Sequence, residues 1–226
     1  RCYSGSGNDT YSLINFKSGT IDGPEYDDKN GCFDFTNANQ DNILITSFGN
    51  LISDYCNGTS SNFTFNVWFT TDVIPASTSH TVSPMVINGS GKFNIYLLLG
   101  DGQQGSQFNV RCYQGGGWKN MGVSPVGSIV TGTWYNYSVT YNTSSGWKGY
   151  LNGIVLADDG DDSQTGAIMS NSLPGPYIGC QIDSLGSYYP GRFWDGKIAI
   201  TSLYSRDLTA AEVKQNYDTL KPRFGL

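Results

Sequence analysis

Apolar and polar residues alternate along several short stretches of the chain. Phe63, Phe65, Val67 and Phe69 are separated by Thr64, Asn66, Trp68 and Thr70. The same period of two runs through Phe93, Ile95, Leu97 and Leu99, through Tyr135, Tyr137, Val139 and Tyr141, and into Ile198 and Ile200. Successive side chains of a strand point to opposite faces, so each stretch predicts a strand with one core face and one more polar face. Between these runs lie Asp22-Gly23, Asn30-Gly31, Asn57-Gly58, Asn88-Gly89, Asp101-Gly102 and Asn152-Gly153, pairs that tolerate positive φ in tight turns. Many short strands joined this way predict an all-β fold, an antiparallel sandwich or barrel. Trp68 and Trp134 are assigned to packing.

One stretch breaks the pattern. After Asp207-Leu208, Thr209 and Glu212 form a T-x-x-E capping box, and Ala210, Ala211 and Val213 follow as helix formers. Val213, Tyr217 and Leu220 share a face at spacings of four and three, and Pro222 closes the segment. A short C-terminal helix is predicted over about 210–220, docked on the sandwich. No linker, internal repeat or low-complexity tract interrupts the sequence, so one domain over residues 1–226 is expected.

Charge and composition narrow the function classes. The net charge is -6 and no stretch is basic, which argues against nucleic acid as a partner. No apolar run reaches the roughly 20 residues of a membrane-spanning helix; Ile95-Tyr96-Leu97-Leu98-Leu99 suits a buried strand instead. The five cysteines, Cys2, Cys32, Cys56, Cys112 and Cys180, include no CxxC pair and so lack metal-ligand spacing. They are expected to be buried thiols, with disulfides left open for an extracellular protein.

Candidate chemistry is sparse. The lone His80 has no partner acid or base near it in sequence and reads as a loop residue. Gly115-Gly116-Gly117 has neither the Lys nor the following helix of a phosphate loop, so a hairpin tip is expected. Asp158, Asp159, Asp161 and Asp162 place four carboxylates in one loop. That loop is either a solvated acidic turn or a Ca²⁺ site, since calcium takes six to eight oxygen ligands from flexible loops. Aromatic residues also gather in Gly-rich segments: Tyr113, Trp118, Trp147, Tyr188, Tyr189 and Trp194. Flat rings stack on the C–H faces of sugars, so these are candidates for glycan contact, protein contact or plain packing. N-x-S/T sequons occur at Asn8, Asn57, Asn62, Asn88, Asn136 and Asn142, although Asn136 lies inside a strand pattern.

Several of these pieces carry a family resemblance. The order Trp134-Tyr-Asn-Tyr-Ser-Val-Thr-Tyr141, Gly149-Tyr-Leu-Asn-Gly153, Gly191-Arg-Phe-Trp-Asp-Gly-Lys-Ile-Ala-Ile200 and Leu208–Tyr217 resembles the closing half of a laminin-G-like domain of the concanavalin A-like lectin/glucanase superfamily. Tyr3–Gly7, Ser18-Gly-Thr-Ile-Asp-Gly-Pro-Glu-Tyr26, Asn30–Phe35 and Arg206–Tyr217 look like the terminal motifs of such domains in tailed-phage structural proteins. The resemblance implies a concanavalin A-like jelly-roll sandwich. It also implies a non-enzymatic virion surface protein, such as a head decoration, fibre or spike module. Such a protein contacts other virion proteins of capsid or tail, touches surface glycans and forms homo-oligomers; its location is the virion surface or extracellular space. The alternative is a secreted or cell-surface lectin or carbohydrate-binding module, in the Ca²⁺-dependent form that several lectins of the superfamily take. Retaining glucanases of the superfamily need two carboxylates about 5 Å apart, supplied by glutamates on one strand. Here the only glutamates are Glu25 and Glu212, in no such motif, and no enzyme is expected.

Overall fold

The structure is a computed structural model that describes residues 3–4, 9–11, 18–28, 31–45, 62–75, 82–87, 95–100, 106–157, 161–166, 176–182 and 187–226. In chain order the strands begin with β1 (Tyr3–Ser4), β2 (Asp9–Tyr11), β3 (Ser18–Asp22), β4 (Glu25–Asp27), β5 (Cys32–Phe35) and β6 (Asn42–Leu44). Next come β7 (Phe63–Phe69), β8 (Val82–Ile87), β9 (Ile95–Leu99), β10 (Phe108–Gln114), β11 (Gly117–Met121) and β12 (Tyr135–Asn142). The last are β13 (Gly146–Leu151), β14 (Ile154–Val155), β15 (Tyr177–Ile178), β16 (Cys180–Ile182), β17 (Tyr188–Phe193) and β18 (Gly196–Tyr204), followed by helix α1 (Ala210–Leu220). A 3-10 turn at Asn37–Asn39 joins β5 to β6, and another at Lys221–Phe224 follows α1.

The strands form a nine-stranded sheet in the order β1-β2-β3-β6-β15-β8-β9-β10-β11 and a seven-stranded sheet in the order β14-β13-β12-β7-β18-β5-β4. A ribbon of β16 and β17 completes the set. Neighbouring strands run antiparallel, so the fold is an all-β sandwich with one short C-terminal helix, as the alternating sequence predicts. Its core lies between the two large sheets. Phe65, Val67 and Phe69 of β7 and Tyr137 and Val139 of β12 face Leu97, Leu99, Phe108 and Val110 of the opposite sheet. Ring contacts bridge the layers, with Phe69 4.7 Å from Phe108 and Phe108 4.5 Å from Tyr137.

Two departures from simple alternation have physical causes. All seven residues of β7 are buried, including the expected polar face. β7 lies in the interior of its sheet and its outer side is covered by the C-terminal segment: Trp68 stacks on Tyr217 at 5.6 Å and on Phe224 at 4.3 Å. Beside it, the Thr64 hydroxyl donates to the Arg206 carbonyl at 2.9 Å and accepts from the Leu208 N–H at 2.8 Å, and Asn66 donates to Ser138 at 2.7 Å. Ile200 also leaves its expected core position. A bulge between Ile198 and Ile200 shifts the phase by one residue, so Ile198 stays opposite Phe69 but Ile200 falls opposite Trp68, on the outer face. Leu203, opposite Phe65, packs against the core in its place. Phe93 and the pairs Asn57-Gly58, Asn88-Gly89 and Asp101-Gly102 lie outside the described residues.

The helix is capped as its sequence predicts. Thr209 and Glu212 form a reciprocal box: Glu212 Oε2 accepts from the Thr209 N–H at 2.8 Å, and Thr209 Oγ1 accepts from the Glu212 N–H at 3.3 Å. Arg206 adds a two-pronged contact to the same carboxylate at 2.9 and 2.7 Å. Arg206, then Thr209, hold the Glu212 carboxyl down at about 2, against an ordinary 4.5. A depressed folded value means that the contribution of this carboxylate is present above pH 4.5 and is lost as pH falls through about 2. Glu212→Gln is therefore expected to flatten the acid limb of an unfolding-versus-pH curve across that window, and an unchanged limb would contradict the assignment.

Cys32, Cys112 and Cys180 are buried and unpaired, while Cys2 and Cys56 lie outside the described residues. Burial pushes the thiol of Cys32 up to about 11 and that of Cys112 to about 12, which makes them poor nucleophiles.

Candidate functional site

The outer face of the nine-stranded sheet is built by the same alternation that fills the core. In β10, Phe108, Val110 and Cys112 point inward, so Asn109, Arg111 and Tyr113 point outward. In β11, Met121 is in the core, which turns Trp118 and Asn120 outward. In β9, Leu97 and Leu99 are inward and Tyr96 and Leu98 outward. Register then sets the neighbours: Arg111 lies between Tyr96 and Asn120, and Tyr113 pairs with Trp118. The β10–β11 hairpin that carries them closes through Gly115 and Gly116, both at positive φ (61° and 86°), as the glycine run predicts.

The result is an aromatic platform with polar flanks. Trp118 is 40% exposed and meets Tyr113 edge-on at 5.8 Å. The Arg111 guanidinium sits 5.1 Å over the indole, and Tyr96 lies 6.0 Å from it. The Tyr113 hydroxyl donates to the Gly116 carbonyl at 2.8 Å and fixes its ring. The side-chain oxygens of Asn109 and Asn120 are buried on this face without a donor. Tyr96 links the platform to the β16–β17 ribbon by donating to the Ile182 carbonyl at 3.1 Å. On that ribbon Arg192 lies 4.7 Å over Tyr189 and donates to Gln181 at 3.1 Å. Tyr188 is exposed but anchored, its ring edge-on to Tyr177 at 6.0 Å and its hydroxyl 3.2 Å from Asn42 Oδ1. Burial first, then Cys180, Tyr177 and Asp22, push that phenol up to about 12, so it remains a neutral donor.

Of the six aromatic candidates, four thus reach the outer layers: Tyr113, Trp118, Tyr188 and Tyr189. Trp147 and Trp194 do not, and the expectation of ligand contact is corrected for both. Trp147 is 2% exposed because it pairs with Tyr141 at the start of β13, where the phase is inward. Its indole N–H donates to Gln114 Oε1 at 2.9 Å. Trp194 is fully buried, edge-on to Phe69 at 5.4 Å, and donates to the Thr70 carbonyl at 3.0 Å. Neither ring offers a face to a ligand. Arg111, Asn109 and Asn120 were not singled out from sequence, although the alternation in Phe108–Gln114 puts the first two on the face of Tyr113.

The acidic loop is also only partly what it promised. Asp158 and Asp159 lie outside the described residues, as does His80. Asp161 accepts from Lys119 Nζ and from the Asn120 N–H, each at 3.1 Å. The Asp162 carboxylate is buried and accepts from the Gly122 N–H at 2.7 Å, while its carbonyl accepts from the Trp147 N–H at 2.7 Å. Both carboxylates therefore tie the loop to the sandwich. Among the described residues no three acidic, thiol or imidazole side chains converge closely enough to hold one metal ion between them. Three sequons are likewise occupied by structure. Asn62 and Asn142 donate to the two oxygens of Asp207 at 2.8 and 2.9 Å, and Asn136 is buried. Asn8, Asn57 and Asn88 lie outside the described residues.

Two large antiparallel sheets, one of them with an aromatic, arginine-flanked outer face, define a concanavalin A-like β-sandwich. The chain belongs to the concanavalin A-like lectin/glucanases superfamily, whose laminin-G-type model matches residues 37–214. Comparison with curated protein sequences finds no match. Similar solved structures include Trypanosoma rangeli sialidase, at 17% identity and a TM-score of 0.64, covering 98% of this chain and 32% of the sialidase. The chain thus spans about a third of that enzyme. Domain 4 of AbnA, an extracellular arabinanase from Geobacillus stearothermophilus solved with arabinotriose, is similar at 15% identity and a TM-score of 0.63, covering 92% of both chains. The receptor binding domain of a botulinum neurotoxin C/D mosaic matches at 12% identity and a TM-score of 0.64, covering 93% of this chain and 48% of that one. At these identities the likeness is one of fold.

Proposed function

We propose that the chain is a non-catalytic glycan-binding module whose ligand stacks on Trp118. The observation that carries this reading is the half-exposed indole, held edge-on by Tyr113 and flanked by Arg111 on an outer sheet face. A sugar presents C–H groups to such a ring and hydroxyls to the guanidinium and amide beside it, and a few well-placed polar groups around an apolar surface set orientation. The fixed platform adds little ordering cost on binding. The arabinotriose complex of the similar arabinanase domain supports a saccharide as the ligand class.

The absence of turnover is part of the proposal. Glu212 is committed to the helix cap and kept ionised, so it is unsuited as a general acid. Glu25, on β4, belongs to the other sheet from Trp118. The resemblance of Tyr3–Gly7, Ser18–Tyr26 and Arg206–Tyr217 to motifs of tailed-phage structural proteins favours a virion-surface setting, in which the module assembles as a homo-oligomer on capsid or tail and displays this face outward. A secreted lectin is the alternative setting for the same face.

A glycan array probed with the purified chain is expected to retain it on at least one saccharide class, with no reducing ends released on incubation. Loss of all glycan binding would remove the proposal, and released product would move the protein among the enzymes. Mass spectrometry of purified particles against culture supernatant separates the two settings.

A further inference from the structure

Away from the aromatic platform, an acidic cavity lies where the first 3-10 turn and the start of β18 approach the β3–β4 turn. It measures about 380 Å³ and is lined by the carboxylates of Glu25, Asp34, Asp41, Asp72 and Asp195, with Phe35 as its one large apolar side chain. Backbone groups gather these acids. The Thr36 N–H donates to Asp41 Oδ2 at 2.7 Å, the Asn37 N–H donates to the Asp195 carboxylate, and the Asp72 N–H donates to the Asp195 carbonyl at 2.8 Å. The Lys197 ammonium serves Asp34 at 2.9 Å and Asp27 at 3.2 Å. Among the described residues no cation pairs with Glu25, Asp41, Asp72 or Asp195.

Crowded carboxylates alone are common on acidic proteins. Asp41 is the independent observation. It is 2% exposed, and its Oδ1 is buried with no hydrogen-bond partner. An ionised oxygen buried without a donor is costly, and a charged donor relieves that cost best. Burial first, then Asp22, Glu25 and Asp34, push the Asp41 carboxyl up, and burial with Asp72 does the same to Asp195. The cavity is therefore short of both positive charge and donors.

We propose that this cavity is a socket for a guanidinium group, the arginine side chain of a partner protein, anchored on Asp41. Ligand shape decides among the cations. No three acidic side chains converge here closely enough to surround one ion, so a point charge leaves most of them unmet. A guanidinium spreads five N–H donors around a plane and reaches carboxylates that stand apart, often two hydrogen bonds at a time. An ammonium carries all its donors on one nitrogen and fits less well. The lining decides the source. Sites for free small molecules are walled mainly by apolar and aromatic side chains, whereas this one is walled by acids. The cation therefore arrives on a larger body, whose backbone N–H groups meet the exposed carboxylates of Glu25 and Asp72. Glu25 and Asp34 belong to the seven-stranded sheet and Trp118 to the other, so the socket works independently of the aromatic platform.

The test titrates the whole chain with a capped glycine-arginine-glycine tripeptide by calorimetry, beside its lysine and citrulline counterparts and ethylguanidine. The arginine peptide is expected to bind saturably with a Kd below about 10 mM, the lysine peptide at least about threefold more weakly, and the neutral citrulline peptide not measurably. Ethylguanidine keeps the charge but lacks the peptide N–H groups, and is expected to bind at least about threefold more weakly than the arginine peptide. Asp41→Asn is expected to weaken the arginine peptide at least about tenfold. Asp218→Asn removes the same charge from the exposed helix surface and is expected to keep the affinity. Should Asp41→Asn fail to fold, Glu25→Gln combined with Asp72→Asn, both at exposed positions, is expected to lower the affinity severalfold. No saturable binding of the arginine peptide, equal binding of the lysine or citrulline peptide or of ethylguanidine, or affinity kept in Asp41→Asn or in the double variant would each overturn the proposal.

Discussion

Trp194→Ala is expected to destabilise the fold by about 3–5 kcal/mol, the range for removing a large aromatic from a packed interior. The side chain is fully buried, stands edge-on to Phe69, and satisfies the Thr70 carbonyl with its indole N–H. Alanine would leave both a cavity and an unpaired carbonyl. Urea unfolding measures the loss directly, and Trp194→Phe, which keeps most of the volume but not the N–H, is expected to fall between the two. A change below about 1 kcal/mol would place Trp194 outside the core and contradict the structure.

Trp118→Ala is expected to do the opposite. Its ring is exposed, so its loss should change stability by no more than about 1 kcal/mol, while saccharide affinity falls at least about tenfold. A tenfold loss corresponds to about 1.4 kcal/mol of binding free energy, a modest demand on one stacking residue. The two tryptophans resemble each other in sequence, since both follow glycines by one to three residues in Gly- and Tyr-rich segments. Their opposite responses would separate scaffold from platform.

That pair also shows what the sequence makes legible. Period-two alternation identifies β7, β9 and β12 because one face of each strand meets the core. The helix was readable to its cap, since T-x-x-E contacts are local. The inward setting of Trp147 is hidden in the sequence because Ser144-Ser145-Gly146 looks like an extended loop. In fact the hairpin closes at Gly146, and pairing with Tyr141 puts the next residue inward. The outward turn of Ile200 is hidden because a bulge is one extra residue and leaves no compositional trace. Burial of the polar side of β7 depends on a helix more than 140 residues later, a contact that no local window contains.

The acidic cavity marks the far end of this scale. Glu25, Asp34, Asp41, Asp72 and Asp195 come from separate parts of the chain, and each alone reads as an ordinary surface acid. The adjacent acids at Asp158–Asp162 stand out in the sequence instead, yet two of them, Asp161 and Asp162, are ties to Lys119, Asn120 and Gly122. The platform around Trp118 falls between these cases. Its β10 residues alternate legibly, but their exposure depends on which side of the sheet the rest of the chain covers.

The central claim, that the outer face around Trp118 is the ligand-binding surface of a non-catalytic module, is tested most directly by titrating one array-selected saccharide into wild type and Trp118→Ala. Thermal melts of the same samples serve as the control. The account requires saturable binding by the wild type, at least about tenfold weaker binding by the variant, and closely similar melting temperatures. Equal affinities for wild type and variant would contradict it.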